Sequence, residues 1–379
     1  MTEFTPRERV LAALAHQAPD RVPRDLAGTT ASGINVIAYA NLVDHLGLRE
    51  PVTLLSTRTR LAEPSETILA HFGSDTRLVM SRGTFDLGQP NPDGTFTDSY
   101  GIVRALPNER GHWYVVRSPL DGAPDRSDIA AAARSWPDPA DPAITAGIAE
   151  RARFLHEETD YAVVLNLPVG MVHVAQWLRG FENWLADLVL DPELSCYLLD
   201  TLLERWLEIS RRLVEAAGPH ADVLFFAEDV AVHSGRMVSP ATYERIIHPY
   251  HRRIFQALHA WSDAKIVYHG CGSVTWQIDD LVEMGADALN PVQVSSADMG
   301  DTAALKRRFG ERIAFWGAID TGHVLPRGTP AEVRAEVRRR VADLAAGGGY
   351  VLAPVHNLQA DVPPQNICAM YQAADELAG

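Results

Sequence analysis

The chain is 379 residues long, 46% hydrophobic and 22% charged, which supplies enough apolar material for a sizeable core and excludes a disordered polymer. Its net charge of −15, from 49 acidic against 34 basic side chains, repels phosphate backbones and anionic lipid surfaces, so neither nucleic acid nor a membrane is expected as a partner. No stretch approaches about 18 uninterrupted apolar residues, and the opening Met1-Thr2-Glu3-Phe4-Thr5-Pro6-Arg7-Glu8 lacks the apolar core of a signal peptide, so the expected compartment is the cytoplasm.

Thr5-Pro6-Arg7-Glu8 has the form of a capping box with proline at the first helical position, and predicts an opening helix. Short apolar runs follow at Arg21 to Leu26 and Thr76 to Met80. Between Gly83 and Leu120, the Asn91-Pro92-Asp93-Gly94 turn signal and the alternation in Thr95-Phe96-Thr97 and Trp113-Tyr114-Val115-Val116 predict a β-hairpin insertion. From about Asp160 onward the pattern becomes regular. Apolar runs at 162–167, 223–227, 265–268, 286–289, 313–316 and 350–353 alternate with amphipathic stretches, several of which open on Ser or Thr followed by Pro. Strands separated by helices must pair in parallel through crossovers. Six such units plus the two earlier runs make eight, the count of a (β/α)8 TIM barrel. The expected fold is therefore one α/β barrel domain over residues 1–379, with an N-terminal helical segment and the insertion at about 83–120.

In a barrel the residues just past each strand line the rim where active sites form. Here those positions hold Asn166, Glu228 and Asp229, His269 and Cys271, Asn290 and Gln293, Asp320, and His356 with Asn357 and Gln359. His269-Gly270-Cys271 puts an imidazole and a thiol two residues apart at a strand end, and His356 follows a later strand. Zinc takes thiolate and imidazole ligands, three from the protein in a catalytic site. His269, Cys271 and His356 are thus the expected metal set. Cys196 and Cys368 lie in helical patterns and read as small packed side chains; three cysteines in all suit a reducing compartment rather than a disulfide framework.

Four segments carry a resemblance to a known family: His269-Gly270-Cys271-Gly272-Ser273, Leu289-Asn290-Pro291-Val292-Gln293, Phe315-Trp316-Gly317-Ala318-Ile319-Asp320, and Gly347-Gly348-Gly349-Tyr350 through His356-Asn357-Leu358-Gln359 to Asn366. With Pro19-Asp20-Arg21-Val22-Pro23 they resemble, over nearly the whole length, the uroporphyrinogen decarboxylase superfamily, and within it the zinc- and corrinoid-linked methyltransferases. The decarboxylase holds its substrate's carboxylates with arginines after the first strand, whereas Leu26-Ala27-Gly28-Thr29-Thr30-Ala31-Ser32-Gly33 has no basic residue. Many of the methyltransferases complete the zinc set with a cysteine where this chain has Val355-His356. The resemblance implies a zinc-dependent methyltransferase that moves a methyl group between a small methylated substrate or acceptor and a corrinoid or related one-carbon carrier. Its partners would be a small molecule and a corrinoid protein carrying methylcobalamin. A homodimer is one assembly open to it.

Each assignment has a plainer counterpart. Glu228 and Asp229 stand as catalytic proton-handling groups, a fourth ligand or an orienting partner of a histidine, and strand alternation lets only one face inward. Asn166, Asn290, Gln293, Asp320, Asn357 and Gln359 are candidate substrate contacts that could equally tie loops together. His233, His248, His251 and His259, among charged neighbours, read as solvated or rim groups, and Trp177, Phe181 and Trp184 as core packing. Two other function classes stay open: a decarboxylase or lyase of a small carboxylic acid, and a non-catalytic ligand-binding barrel.

Overall fold

A computed structural model of the chain describes residues 4–83 and 90–377. Seven parallel strands form one sheet: β1 (Thr76–Met80), β2 (Ala162–Asn166), β3 (Val223–Ala227), β4 (Lys265–His269), β5 (Ala288–Asn290), β6 (Ala314–Ile319) and β7 (Tyr350–Pro354). They pair in chain order, β1 to β7, with helices in the crossovers. The predicted runs from Thr76 onward are these strands to within two residues, except that the strand expected to end at 316 continues to Ile319.

The eighth stave is not a full strand. Around Arg24 the chain makes a single parallel bridge to Leu352 of β7, with Asp25 N donating to Leu352 O and Leu352 N to Pro23 O, both at 2.9 Å. On its other side Asp75 N donates to Arg24 O at 2.8 Å, and Arg24 N donates to the Asp75 carboxylate at 2.8 Å. The ring closes through these bonds. The Asp75 carboxylate, 1% exposed, also takes Arg9 at 2.7 Å and Arg21 at 2.8 Å. One buried acid thereby ties the opening helix, the short stave and β1 together.

Alternation fills the interior. Ala162, Val164, Val223, Phe225, Val267, Ala288, Ala314, Trp316, Val351 and Ala353 pack inside with Val10, Ala13 and Leu14 of helix Pro6–Leu14. That helix begins with the expected capping box, Thr5 and Glu8 each taking the other's backbone N–H. Gly349 N donates to Ala13 O at 2.9 Å, which seats the helix at the N-terminal end of β7, away from the strand ends that carry the site. The outer faces of the strands pack on the helices in a second, larger core.

The insertion differs from the predicted hairpin. Phe96–Thr97, Val103–Ala105 and Tyr114–Arg117 form a three-stranded antiparallel sheet. The Asn91–Gly94 turn closes on Thr95, before the sheet. Asp98 makes the reversal, accepting from the N–H groups of Tyr100 and Ile102 and pairing with buried Arg104 at 2.9 Å. Residues 84–89 of the expected insertion lie outside the described residues. A further hairpin, Thr53–Ser56 with Leu61–Glu63, stands beside it. Among the described residues no helix is long and apolar enough to cross a membrane.

Asp75→Ala leaves Arg9 and Arg21 without their shared buried counter-ion and removes the clamp on Arg24. We expect a loss of about 3–5 kcal/mol, as for other broken buried ion pairs, read as a lower midpoint in urea unfolding. A loss under about 0.5 kcal/mol, the range of ordinary surface changes, would show that the ring closes without it.

Candidate metal centre and its cavity

His269 is the last residue of β4 and turns inward with Val267. Beyond it Gly272 has φ +97, and a Cβ there would meet Val232 O at 2.8 Å, so only glycine lets the chain turn while keeping Cys271 beside the histidine. Cys271 Sγ lies 3.3 Å from His269 Nε2. His356 arrives from beyond β7 with its ring centroid 5.7 Å from that of His269. One ligand-capable atom from each of the three lies within 4.8 Å of the others. Tetrahedral zinc, with bonds of about 2.0 Å to nitrogen and 2.3 Å to sulfur, needs ligand atoms roughly 3.3–3.8 Å apart. The cysteine–histidine pair has that spacing already, and the donor set is chemically right for zinc.

The surroundings prepare these ligands. Asn290 Oδ1 sits 2.5 Å from His269 Nδ1, while its amide donates to Trp316 O at 3.0 Å, which fixes the amide's orientation. Nδ1 therefore carries the proton and Nε2 keeps its lone pair facing Cys271. Asp229 Oδ1 accepts from Cys271 N at 2.6 Å. Its other oxygen lies 3.2 Å from His173 Nε2.

Charge follows from this packing. Burial, then the neighbouring His269, holds the His356 imidazole down to about 4, and burial likewise lowers His269, so both stay neutral imidazoles near pH 7. Burial and the Asp229 carboxylate push the Cys271 thiol well up. Burial opposes the His173 imidazolium, but Asp229 and Glu228 overcome it and raise this histidine to about 9. Burial also opposes charge on Asp229, yet His173 keeps that carboxylate well below its ordinary range. Asp229 and His173 form an ion pair at the cavity wall.

The cavity beside these residues has a volume of about 280 Å³ and is lined by His269, His356, Asp229, His173, Trp177 and Phe225, with Asn166, Asn357 and Gln359. Ser56 and Arg58 of the neighbouring hairpin and His112 of the insertion reach the same space. Of the two acids after β3, Asp229 faces this cavity with Ala227 and Phe225; Glu228 faces the outer layer, fully buried.

The remaining candidates divide by what their polar atoms hold. Asn166 ties the loop after the short stave, accepting from Thr30 N at 2.8 Å and donating to Gly28 O at 3.2 Å. Asn357 accepts from Gly33 N at 2.7 Å, and Gln359 donates to Asn357 O at 3.2 Å; all three still border the cavity. Gln293 instead accepts from Gly272 N at 2.6 Å and supports the turn after Cys271. Asp320 accepts from the N–H groups of Gly322, His323 and Val324, as a turn cap, and neither it, Gln293 nor Asn290 lines the cavity.

Three readings of the sequence change here. His251 is fully buried rather than solvated, because it shares the inward stripe of its helix with Ile254, Phe255 and Leu258. Trp177 lines the cavity and Phe181 is exposed, leaving Trp184 as the one core member of that trio. His173 is a cavity residue that sequence reasoning missed. Its signal was the helix directly after Asn166, on which it stands one turn before Trp177.

Residues 134–377 match the model of the family described as uroporphyrinogen decarboxylase (URO-D). The chain is 25% identical over 388 aligned positions to the methylcobamide:CoM methyltransferase MtaA of Methanosarcina barkeri, covering 99% of each. It is 30% identical to a uroporphyrinogen decarboxylase of Pseudomonas aeruginosa over 203 positions, 53% of each chain. A solved structure of a methyltransferase from Methanosarcina mazei superimposes with a TM-score of 0.69 over the full length of both chains at 19% identity, which is a likeness of fold.

Two expectations follow. Because Cys271 starts as a thiol and both histidines are neutral, zinc uptake at pH 7.5 should release about one proton, measured by titration in buffers of different ionisation enthalpy; Cys271→Ser should release none, and equal release from both would remove the cysteine from the site. Separately, His173 is raised from 6.5 to about 9 in the fold, so its ion pair stabilises fully below about pH 6.5 and is lost as pH climbs through 9. Metal-free protein should lose on the order of 2 kcal/mol across that window. His173→Gln should flatten the slope, and an unchanged slope in that variant would contradict the pairing.

Proposed function

Because the chain belongs to the uroporphyrinogen decarboxylase family and gathers His269, Cys271 and His356 at one end of a barrel cavity, we propose that it is a zinc-dependent methyltransferase of the cytoplasm. It moves a methyl group between a small methylated substrate or acceptor and a corrinoid or related one-carbon carrier, presented by a partner protein. The observation that carries this reading is the three-ligand cluster, with donor atoms within 4.8 Å of one another. The full-length similarity to a relative named for methyl transfer from a methylcobamide supports it, as does the lack of basic residues from Leu26 to Gly33, where a polycarboxylate would need counter-ions.

His269, Cys271 and His356 would hold the metal, and Asn290 would orient His269. Zinc bound there supplies a Lewis acid that makes a thiol or hydroxyl nucleophile available as its anion near neutral pH. In the transfer the acceptor loses its proton, its lone pair forms the new bond to the methyl carbon, and the donor's bond to that carbon breaks with its electron pair left on the donor. Asp229, as a carboxylate, would accept a hydrogen bond from the acceptor while the acceptor's proton passes to solvent. Its pairing with His173 keeps it ionised for that task. Asn166, Asn357 and Gln359 border the space where the small substrate would lie, and the single domain would offer its cavity mouth to the carrier. With two imidazoles and one thiolate, the set carries less negative charge than one with two cysteines, which leaves the metal more Lewis-acidic and favours an oxygen acceptor alongside sulfur.

The test is zinc-loaded protein with methylcobalamin and a panel of small thiols and phenols, followed by loss of the methylcobalamin absorbance. Zinc-dependent turnover is expected with at least one acceptor, falling more than about a hundredfold in Cys271→Ser and His356→Ala, beyond what loss of a supporting residue costs. Cys196→Ser and Cys368→Ser should keep both metal and activity. Stoichiometric zinc with no turnover, or full activity in Cys271→Ser, would move the lyase and ligand-binding readings ahead.

A further inference from the structure

Behind the cavity wall lies a polar group that the proposed transfer does not use. Glu228 points from the end of β3 into the outer layer, where it and His251 are both entirely buried. Glu228 Oε1 accepts from His173 N at 3.0 Å. It thereby caps the helix Met171–Arg179, whose own cap residue, Gly170, has no side chain to do so. A Cβ on Gly170 would stand 2.4 Å from the Glu228 carboxyl carbon, so the glycine exists to admit the acid. The other oxygen, Oε2, lies 3.8 Å from His251 Nε2. Neither Oε2 nor either ring nitrogen of His251 has a hydrogen-bond partner among the described residues.

His251 otherwise sees rings. Phe226, Tyr243 and Tyr268 surround it edge to face, with centroids 6.5, 6.1 and 6.0 Å away. Packing alone would be served better by leucine or phenylalanine at this place, since an imidazole there leaves two buried nitrogens unsatisfied. The feature that explains the histidine is the carboxylate. The backbone supports the same reading. Tyr243–Ile247 is a π-helical turn directly before the helix His248–Trp261, a distortion that re-aims the residues after it and recurs at functional sites. Tyr268, next to His269, donates its hydroxyl to Glu228 O at 2.7 Å, and Gln277 donates to the hydroxyls of Tyr243 and Tyr268 at 3.2 and 3.3 Å.

We propose that His251, acting through Glu228, is a positioning residue for the cavity: the buried pair sets the helix Met171–Arg179 and holds the His173 ring against Asp229. His251 makes no contact with the cavity itself. Its effect passes from helix His248–Trp261 to Glu228, then to the N-terminus of Met171–Arg179 and to His173 and Trp177 on its inner face. The catalytic meaning of this arrangement rests on the methyl-transfer reading, but the arrangement is testable without turnover.

The test compares His251→Leu with His251→Gln in the zinc-loaded full-length protein, using nitrogen-15 histidine side-chain spectra with the His173 signals assigned by their loss in His173→Gln. Leucine should displace the His173 ring signals while zinc stays at one equivalent, because no metal ligand sits on the affected helix. Glutamine, which can still donate to Glu228, should restore most of the wild-type position. Glu228→Gln is the second route to the same displacement should His251→Leu fail to fold. Wild-type His173 signals in His251→Leu or in Glu228→Gln, or no recovery with glutamine, would reduce the pair to core packing and overturn the proposal. Absence of methyl transfer in the wild type would leave this comparison intact and would count against the functional reading alone.

Discussion

The carboxylate of Asp229 joins two elements that lie far apart in the chain. One oxygen takes the backbone N–H of Cys271 at 2.6 Å and the other faces His173 at 3.2 Å, so the loop after β4 and the helix after β2 are fixed to a single point. This works because consecutive residues of an extended chain point to opposite sides. Phe225, Ala227 and Asp229 face the cavity, whereas Phe226 and Glu228 face the helices. A slip of one residue at the end of β3 would exchange the two acids, leaving Cys271 N without its carboxylate partner and the helix Met171–Arg179 without its cap. The buried salt clamp at Asp75 serves this arrangement from a distance, since β3 and β4 pair directly whereas the closed ring fixes the end of β7 across from them.

Around that point the charges are sorted. Two neutral imidazoles line the cavity with a thiol beside them, and against that cysteine's backbone stands an ionised carboxylate paired with an imidazolium. Burial alone would neutralise all of them. What separates their behaviour is local pairing. His173 has two carboxylates within 3.6 Å and keeps its proton, whereas His356, buried and with His269 rather than a carboxylate beside it, is held low. A cation that arrives among His269, Cys271 and His356 therefore meets lone pairs rather than competing charge, with the thiol proton as the one barrier to entry.

Much of this was legible in the sequence because it lies along the chain. Alternating apolar runs and capped amphipathic stretches located seven strands, and the His269-Gly270-Cys271 spacing with His356 picked the three residues that the fold brings together. What stayed hidden depends on contacts across the chain. The run at Arg21 to Leu26 marked the eighth stave, but nothing in it showed that the stave is one bridge long and is held by the Asp75 carboxylate. Whether Glu228 or Asp229 faces inward turns on a parity that neither residue reveals. His173 became a site residue only through its pairing with Asp229. His251 was misread because Arg252 and Arg253 beside it are charged; its spacing to Ile254, Phe255 and Leu258, one buried stripe of a helix, was the stronger signal.

The likeness to methyltransferases and to decarboxylases on one fold leaves function to the site, and the proposed site stands on Cys271. The most direct measurement is X-ray absorption at the zinc edge of the metal-loaded full-length protein. The account predicts a first shell with one sulfur at about 2.3 Å and two imidazole nitrogens at about 2.0 Å. A shell of nitrogen and oxygen alone, without sulfur, would contradict it.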